Sequence, residues 1–407
     1  MSQDIVLNAP LQDLQRLIHS PFERLRGLLA ALEPGLPPID MTIGEPRHGV
    51  PDLLGPALAE RVSDYGKYPL IGGTAEWQNA VCAWIGRRYP ALAGAIEPTR
   101  HVLPLNGSRE GLFSVVFPAM ARKSFGARRP AVLMPNPFYQ AYLAAAIAGG
   151  CEPIFMDAEE ETGFLPDLDA LPMDLLQRTA AVYLATPANP QGAIASREYL
   201  ANAVRLAREH NFILIVDECY SEVYYGAPPS SGLEAAFALS GDFANVVVLN
   251  SLSKRSNVPG LRSGFIAGDA AFLAVYSRFR NVACPQMPVP VQHASALLWS
   301  EETHVERSRA LYAQKMQAAE RILGNRLGAR LPEGAFFLWL KVDQLGGGEL
   351  AAKTFWKGCG VKVLPGAYLA QVDAHGRNPG GPYVRLALVD DLRTTIAALE
   401  RLAGLLS

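Results

Sequence analysis

Four short runs that are apolar throughout, Ala131 to Met134, Ala181 to Leu184, Phe212 to Val216 and Val246 to Leu249, limit what this chain can fold into more than any other feature. A strand with one wet face alternates apolar and polar residues; these runs do not, so each is expected to be buried on both faces. Amphipathic stretches lie between them. Ser196 to Glu209 is expected to be a helix, with Ser196 at the cap, Glu198 in the first turn, and Leu200, Val204 and Ala207 recurring at helical spacing. Strand and helix alternating from about residue 100 to about residue 290 predicts an α/β fold on a mostly parallel sheet with helices on both sides.

The two ends read differently. Leu11, Leu14, Leu17 and Ile18 form a helical pattern ahead of the proline-rich stretch Pro34 to Pro38. After Pro285, Pro288 and Pro290 the pattern is helical through Leu323, then strand-like over Ala335 to Val342 and Tyr383 to Leu388, with a last helix from Leu392. A chain of 407 residues exceeds one ordinary domain. The expected division is a large domain over 46–288 and a smaller α+β domain made from 1–45 and 289–407.

Lys and Arg total 37 against 39 Asp and Glu, a formal charge of -2. No strong positive field is present to hold a nucleic acid backbone or an anionic membrane, so neither is expected as a partner. Five cysteines, Cys82, Cys151, Cys219, Cys284 and Cys359, stand 65 to 75 residues apart, which suits neither a disulfide framework nor a zinc knuckle. The start MSQDIVLNAP lacks the basic segment and apolar run of a secretory signal, and no run of 18 apolar residues follows. A cytoplasmic protein is expected.

Ligands of parallel sheets bind beyond the carboxyl ends of the strands, which makes the residues just after each run the place to look for chemistry. Phe212 to Val216 runs into Asp217 and Tyr220, Ala181 to Leu184 into TPANPQG, and Val246 to Leu249 into NSLSKRSNVPGLRSG. Each alone has a plain explanation: a helix cap, a turn, a solvated lysine. Together they meet one demand. A lysine that forms a Schiff base needs an electrophilic cofactor, and pyridoxal phosphate needs an acid at its ring nitrogen, donors at its ring hydroxyl and a phosphate cradle. Lys254 is the candidate amine, Asp217 the acid, and Asn189 with Tyr220 the donors. Ser251 and Arg262, with the turn Asn106-Gly107-Ser108 at a helix start, are the phosphate candidates.

The motifs IGEP (Ile43 to Pro46), KYPLIGG around Tyr68, NGSREGLF (Asn106 to Phe113), PNPFYQAY (Pro135 to Tyr142), NPQG (Asn189 to Gly192), DECY (Asp217 to Tyr220), SLSKRSNVPGLRSG (Ser251 to Gly264) and YVRLAL (Tyr383 to Leu388) occur in this order along nearly the whole chain. In these the chain resembles the fold type I, class I/II aminotransferases. The resemblance implies a seven-stranded, mostly parallel sheet in the large domain, bound pyridoxal 5'-phosphate, and an obligate homodimer in which Tyr68 reaches the neighbour's cofactor phosphate. It also implies that Tyr139 stacks on the cofactor ring, that Gly107, Ser108, Arg109 and Ser253 help hold the cofactor, that Gly44 and Asn189 border the substrate, and that Arg385 takes its α-carboxylate. Further stretches, PFERLRGLLA, IGEPRHGVP and FLPDLDALP among them, are similar to the members acting on N-succinyldiaminopimelate, implying that compound as amino donor and 2-oxoglutarate as acceptor. Two departures stand out: Gln191 replaces the usual Thr of NPTG, and Arg280 to Met287 (RNVACPQM) lacks a Tyr-His pair. Within that segment Arg280 and Gln286 are candidate donors to a distal substrate group.

Other signals are weaker. GGELAAKT (Gly347 to Thr354) nearly matches a P-loop, but Ala352 replaces the Gly before Lys. The seven His show no ligand spacing, so no metal is expected, and His48 reads as a loop residue. Trp77, Trp84 and Tyr89 share a helical face, where core packing is the default. An aminotransferase of another amino acid, or a β-eliminating C–S lyase on the same catalytic set, is the alternative activity, and a non-catalytic ligand-sensing module a third; the last lacks a basic DNA-binding segment.

Overall fold

The computed structural model describes residues 18–126, 128–373 and 375–406. Leu11, Leu14 and Leu17 of the N-terminal pattern lie outside the described residues. Twelve strands among these residues are named in chain order: β1 Ile39–Asp40, β2 Val102–Leu105, β3 Ala131–Asn136, β4 Glu152–Asp157, β5 Thr179–Ala185, β6 Ile213–Asp217, β7 Val246–Ser251, β8 Gly264–Gly268, β9 Phe337–Lys341, β10 Val361–Lys362, β11 Leu364–Pro365 and β12 Tyr383–Ala387.

Seven of them form the central sheet in the order β2-β8-β7-β6-β5-β3-β4. β3 to β7 pair in parallel, and β8 runs antiparallel to both β7 and β2. Alternate residues of one strand feed different cores: Val182 and Leu184 pack on one face of the sheet and Ala181 and Tyr183 on the other, as do Leu214 and Val216 against Ile213 and Ile215. Both faces are dry, which is why these strands are apolar at every position. The expected helix forms as Arg197–Glu209, with Ser196 accepting a hydrogen bond from Tyr199 N and Leu200, Val204 and Ala207 buried. Trp77 and Trp84 on the helix Ala75–Arg88 pack with Trp299 in the first core, and Tyr89 caps the same face.

A second, antiparallel sheet has the order β11-β12-β9. Behind it Met316 and Leu323 of the helix Thr303–Leu323 and Leu399 and Leu402 of the helix Leu392–Leu405 pack on Leu338, Leu340, Val384 and Leu386. The N-terminal segment returns here through parallel pairing of β1 with β10. The expected single helix after Pro285 is two, Val289–Ser300 and Thr303–Leu323, broken at Glu301 and Glu302. The first of these contributes Ala296, Leu298 and Trp299 to the core of the seven-stranded sheet, so it packs on the other side of the boundary expected at 288.

Candidate active site

The carboxyl ends of β3, β5, β6 and β7 open on one cavity of about 960 Å³, which the second sheet borders through Phe337 and Arg385. Gly44, Ser108, Arg109, Tyr139, Asn189, Asp217, Tyr220, Ser251, Ser253, Lys254, Arg262 and Arg385 all line it. Gly107 borders it through the contact described below. Tyr68 is the exception: it is 98% exposed, away from this cavity.

Lys254 sits on the short helix Leu252–Arg255 that follows β7 and donates from Nζ to Gly44 O at 2.5 Å. Its Nζ lies 5.3 Å from the centre of the Phe336 ring and 5.8 Å from that of Tyr220. Burial lowers the amine to about 8, aided by the charges of Arg385 and Arg109 and opposed by Cys219 and Glu45. A lysine in that range has a useful neutral fraction near neutral pH, as attack on a carbonyl requires.

Asp217 ends β6, one strand away. Its Oδ1 accepts from Cys219 N at 3.1 Å and its Oδ2 from the Tyr142 hydroxyl at 2.7 Å. Burial pushes the carboxyl above its ordinary value, while these hydrogen bonds and Lys254 pull the other way. A cation placed against it would stabilise the ionised form further. Tyr142 was legible only as part of PNPFYQAY; its part appears when the helix Gln140–Ala148 turns it beneath Tyr139, where it stacks on Tyr183 with ring centres 4.4 Å apart.

Around the other end, Ser251 Oγ donates to Ser253 Oγ at 2.9 Å, and Arg262 donates to Pro259 O at 2.8 Å and Asn106 O at 3.2 Å. Gly107 has φ +77°, and a Cβ there would stand 2.4 Å from Arg262 Nη2, so only glycine lets the turn and the guanidinium meet. Ser108 opens the helix Ser108–Ser114 beside them. Arg109 donates from Nε to the Tyr139 hydroxyl at 2.5 Å.

Arg385 comes from β12 and is 5% exposed. It donates from Nη1 to Asn189 Oδ1 at 3.1 Å and from Nη2 to Thr42 O at 2.7 Å, and lies 4.5 Å from the centre of the Phe337 ring. Its Nε is buried without a partner among the described residues. Burial lowers the guanidinium to about 10. A buried planar cation with an unmet donor is a site for an anion of matching shape, and a carboxylate is the common one.

The two departures resolve differently. Gln191 lines the cavity and donates from Nε2 to Ala158 O at 3.4 Å. The expectation of distal donors at Arg280 and Gln286 is corrected: Arg280 is wholly buried, forking from Nε and Nη2 onto the Glu110 carboxylate at 3.1 and 3.0 Å and donating from Nη1 to Pro104 O at 2.6 Å. Gln286 donates to Cys284 O at 3.3 Å, and neither residue lines the cavity. A buried guanidinium must be paired, and Glu110 on the next helix fills that need. His48 is in a loop, half-buried, bonded to Ser308 Oγ at 3.2 Å and Lys315 Nζ at 2.8 Å. Among the described residues no group of three or more His, Cys, Asp or Glu is placed to hold a metal, and no helix is long and apolar enough to cross a membrane.

The family model for aminotransferase class I and II matches residues 37–398. The chain is a class I/II aminotransferase. Its fold is accordingly that of the fold type I enzymes, and its cofactor is pyridoxal 5'-phosphate. The chain is 29% identical over 392 residues to the LL-diaminopimelate aminotransferase of Desulforudis audaxviator, covering 95% of each chain. It is 36% identical to an aminotransferase of Neisseria meningitidis whose crystal structure superposes with a TM-score of 0.91, covering 98% of this chain and 100% of that one. A probable N-succinyldiaminopimelate aminotransferase of Thermus thermophilus superposes at 0.82 with 26% identity, over 95% of this chain and 100% of that one. The donor set around the cavity fits the cofactor: the Lys254 amine, the Asp217 carboxylate, an amide, phenols, and a serine, arginine and backbone N–H corner for a phosphate.

Proposed function

We propose that this aminotransferase moves the amino group of a diaminopimelate-class donor to 2-oxoglutarate, with LL-diaminopimelate itself ahead of the N-succinyl derivative that the sequence pointed to. What carries the chemistry is the convergence of Lys254, Asp217, Asn189 and Arg385, from four separate elements, on one cavity. What supports the donor is that relatives at 28 to 29% identity, each covered over more than nine-tenths of its length, carry the name LL-diaminopimelate aminotransferase. LL-diaminopimelate is long and bears a second charged end, so a roomy cavity suits it better than the pocket a short amino acid needs.

Pyridoxal phosphate, when bound, supplies an electrophilic carbonyl and a ring that takes up the electrons left behind by the α-proton. The chain's residues do the rest. Asp217 would hold a proton on the ring nitrogen, Asn189 and Tyr220 would donate to the ring hydroxyl, and Tyr139 would lie against the ring face. Gly107, Ser108, Arg109, Ser251, Ser253 and Arg262 would hold the phosphate end. Lys254 would take the proton from the substrate α-carbon and return it, as general base and then acid. Arg385 would grip the α-carboxylate beside Gly44 and Asn189, fixing which substrate bond faces Lys254.

We place Tyr68 in the neighbouring site of a homodimer; its 98% exposure, with Leu70 at 76% and Val62 at 63%, supports a surface that another subunit covers. We also propose the two-part division of the chain, with the boundary moved beyond Ser300 because Val289–Ser300 packs on the large sheet's core.

Two expected results arise here. Arg385→Lys keeps the charge and loses the planar fork, so kcat/KM should fall by about 10- to 100-fold, the worth of 1.4 to 2.7 kcal/mol of differential binding. Donor and keto acceptor should suffer alike, since both present the α-carboxylate to one site. A loss confined to the donor would move Arg385 to the distal pocket. For the donor itself, kcat/KM is compared for LL-diaminopimelate, N-succinyl-LL-diaminopimelate, glutamate, aspartate, alanine and N-acetylornithine, with 2-oxoglutarate as acceptor where it is not the product. LL-diaminopimelate should lead. A simple amino acid ahead of both diaminopimelates by tenfold refutes the donor and leaves the aminotransferase.

A further inference from the structure

The residue after Tyr139 has no part in the roles above. Gln140 is the first residue of the helix Gln140–Ala148 and lines the cavity. Its side-chain Oε1 is shut off from solvent and has no hydrogen-bond donor among the described residues. Native structures leave few buried amide oxygens in that condition, because the lost solvation is not recovered. The other glutamine on the wall differs: Gln191 donates from Nε2 to Ala158 O, and its oxygen is not left buried and unpartnered.

The charges on this wall sharpen the point. Among the described residues, the lysines and arginines lining the cavity are Lys254, Arg109, Arg262 and Arg385. Each already donates to a neighbour: Lys254 to Gly44 O, Arg109 to the Tyr139 hydroxyl, Arg262 to Pro259 O and Asn106 O, and Arg385 to Asn189 and Thr42 O, its remaining Nε being the donor assigned above to the α-carboxylate. Phe22, Phe164, Leu165 and Leu369 supply hydrocarbon to the same cavity. Two carboxylates, Glu45 beside Lys254 and Asp217 at the end of β6, line the cavity as well, so this wall offers the far end of a donor an acceptor more readily than a fresh cation.

We infer that Gln140 is a specificity-determining residue whose amide oxygen accepts an N–H from the far end of the amino donor, so that the favoured donors carry nitrogen there. This rests on the diaminopimelate reading and deepens it. LL-diaminopimelate has an ammonium on its second α-carbon, and the N-succinyl derivative has an amide N–H at the same place. Either supplies what Oε1 lacks. The last torsion of a glutamine is broad, so a bound donor turns the oxygen toward itself without leaving a staggered side chain.

The discriminating compound is 2-aminoheptanedioate, which has the same chain and both carboxylates and lacks the second nitrogen. Steady-state kcat/KM is measured on the holoenzyme for LL-diaminopimelate, 2-aminoheptanedioate and alanine, in the wild type and in Gln140→Met and Gln140→Glu. Gln140→Met should lower LL-diaminopimelate by about 10-fold, one hydrogen bond to a charged group, with the other two donors within about twofold. Gln140→Glu, which keeps acceptor oxygens, should restore most of that loss. Calorimetric titration of LL-diaminopimelate onto cofactor-loaded Lys254→Ala, with and without Gln140→Met, should show the same shift in Kd with no turnover involved. An equal fall for all three donors, or an unchanged Kd, overturns the role of Gln140. A wild type that prefers 2-aminoheptanedioate to LL-diaminopimelate also overturns it, while leaving a diaminopimelate-length site. A wild type that prefers alanine to both overturns the donor reading and this inference together.

Discussion

Lys254→Ala should lower kcat by at least about 10⁴-fold, the upper end of what one positioned acid–base group contributes. The loss is at that end because the same amine would also hold the cofactor, so two functions go with one side chain. The surroundings fit that double use: burial lowers the amine to about 8, and its hydrogen bond among the described residues runs to a backbone carbonyl rather than a carboxylate that would pin it as an ammonium. Borohydride treatment followed by peptide mass measurement should find the cofactor fixed at Lys254 in the wild type and nowhere in the variant. Small primary amines added to the variant should restore part of the rate, since they replace the proton carrier without the chain. The sign of the pH effect also follows. A neutral amine is the nucleophile, so uptake of pyridoxal phosphate by the free protein should quicken as pH rises through about 8. A variant that keeps a tenth of the wild-type rate would remove Lys254 from the reaction.

Asp217→Asn should slow removal of the α-proton by about 10³-fold, the scale on which enzymes draw from one electrostatic group in a site closed to water. Asparagine keeps the shape of the side chain and an oxygen for Cys219 N, so what is lost is charge. Burial already opposes that charge in Asp217, and the Tyr142 and Cys219 hydrogen bonds hold it only in part. Its full stabilisation therefore waits on a proton at the ring nitrogen, and the two ionisations support each other. The measurement is single-turnover reaction of an α-deuterated donor: the isotope effect should grow as proton removal becomes the slow step, with cofactor content unchanged. A change within threefold, under 1 kcal/mol in barrier, would refute the assignment.

Much of this site is written in local sequence because a parallel sheet forces it there. Strands buried on both faces must be apolar along their buried run, and the polar residues that end each one, Asp217 in β6 or Asn250 and Ser251 in β7, must fall where the sheet opens. Strands without that run were not visible. β8 begins and ends in glycine, and a Cβ at Gly268 would stand 2.1 Å from Val246 O, so the close approach of β7 dictates a residue with no strand propensity. β2 carries Pro104 and β4 Pro153, tolerable because both lie at the edges of the sheet.

By itself, then, the sequence determined the sheet's core strands and the order of the motifs, and it singled out Lys254, Asp217, Asn189 and Arg385 as candidates, each through a pattern of neighbours along the chain. Tertiary structure alone decided which polar groups meet. Arg385 joins Asn189 across 196 residues, Arg280 is drawn to Glu110 across 170 and away from any substrate, and Gln140 is left at the cavity with an unpaired oxygen. Periodicity reports which face of an element is dry. Pairing of charges and amides depends on which elements pack together, and a single strand or helix carries no record of its distant partner.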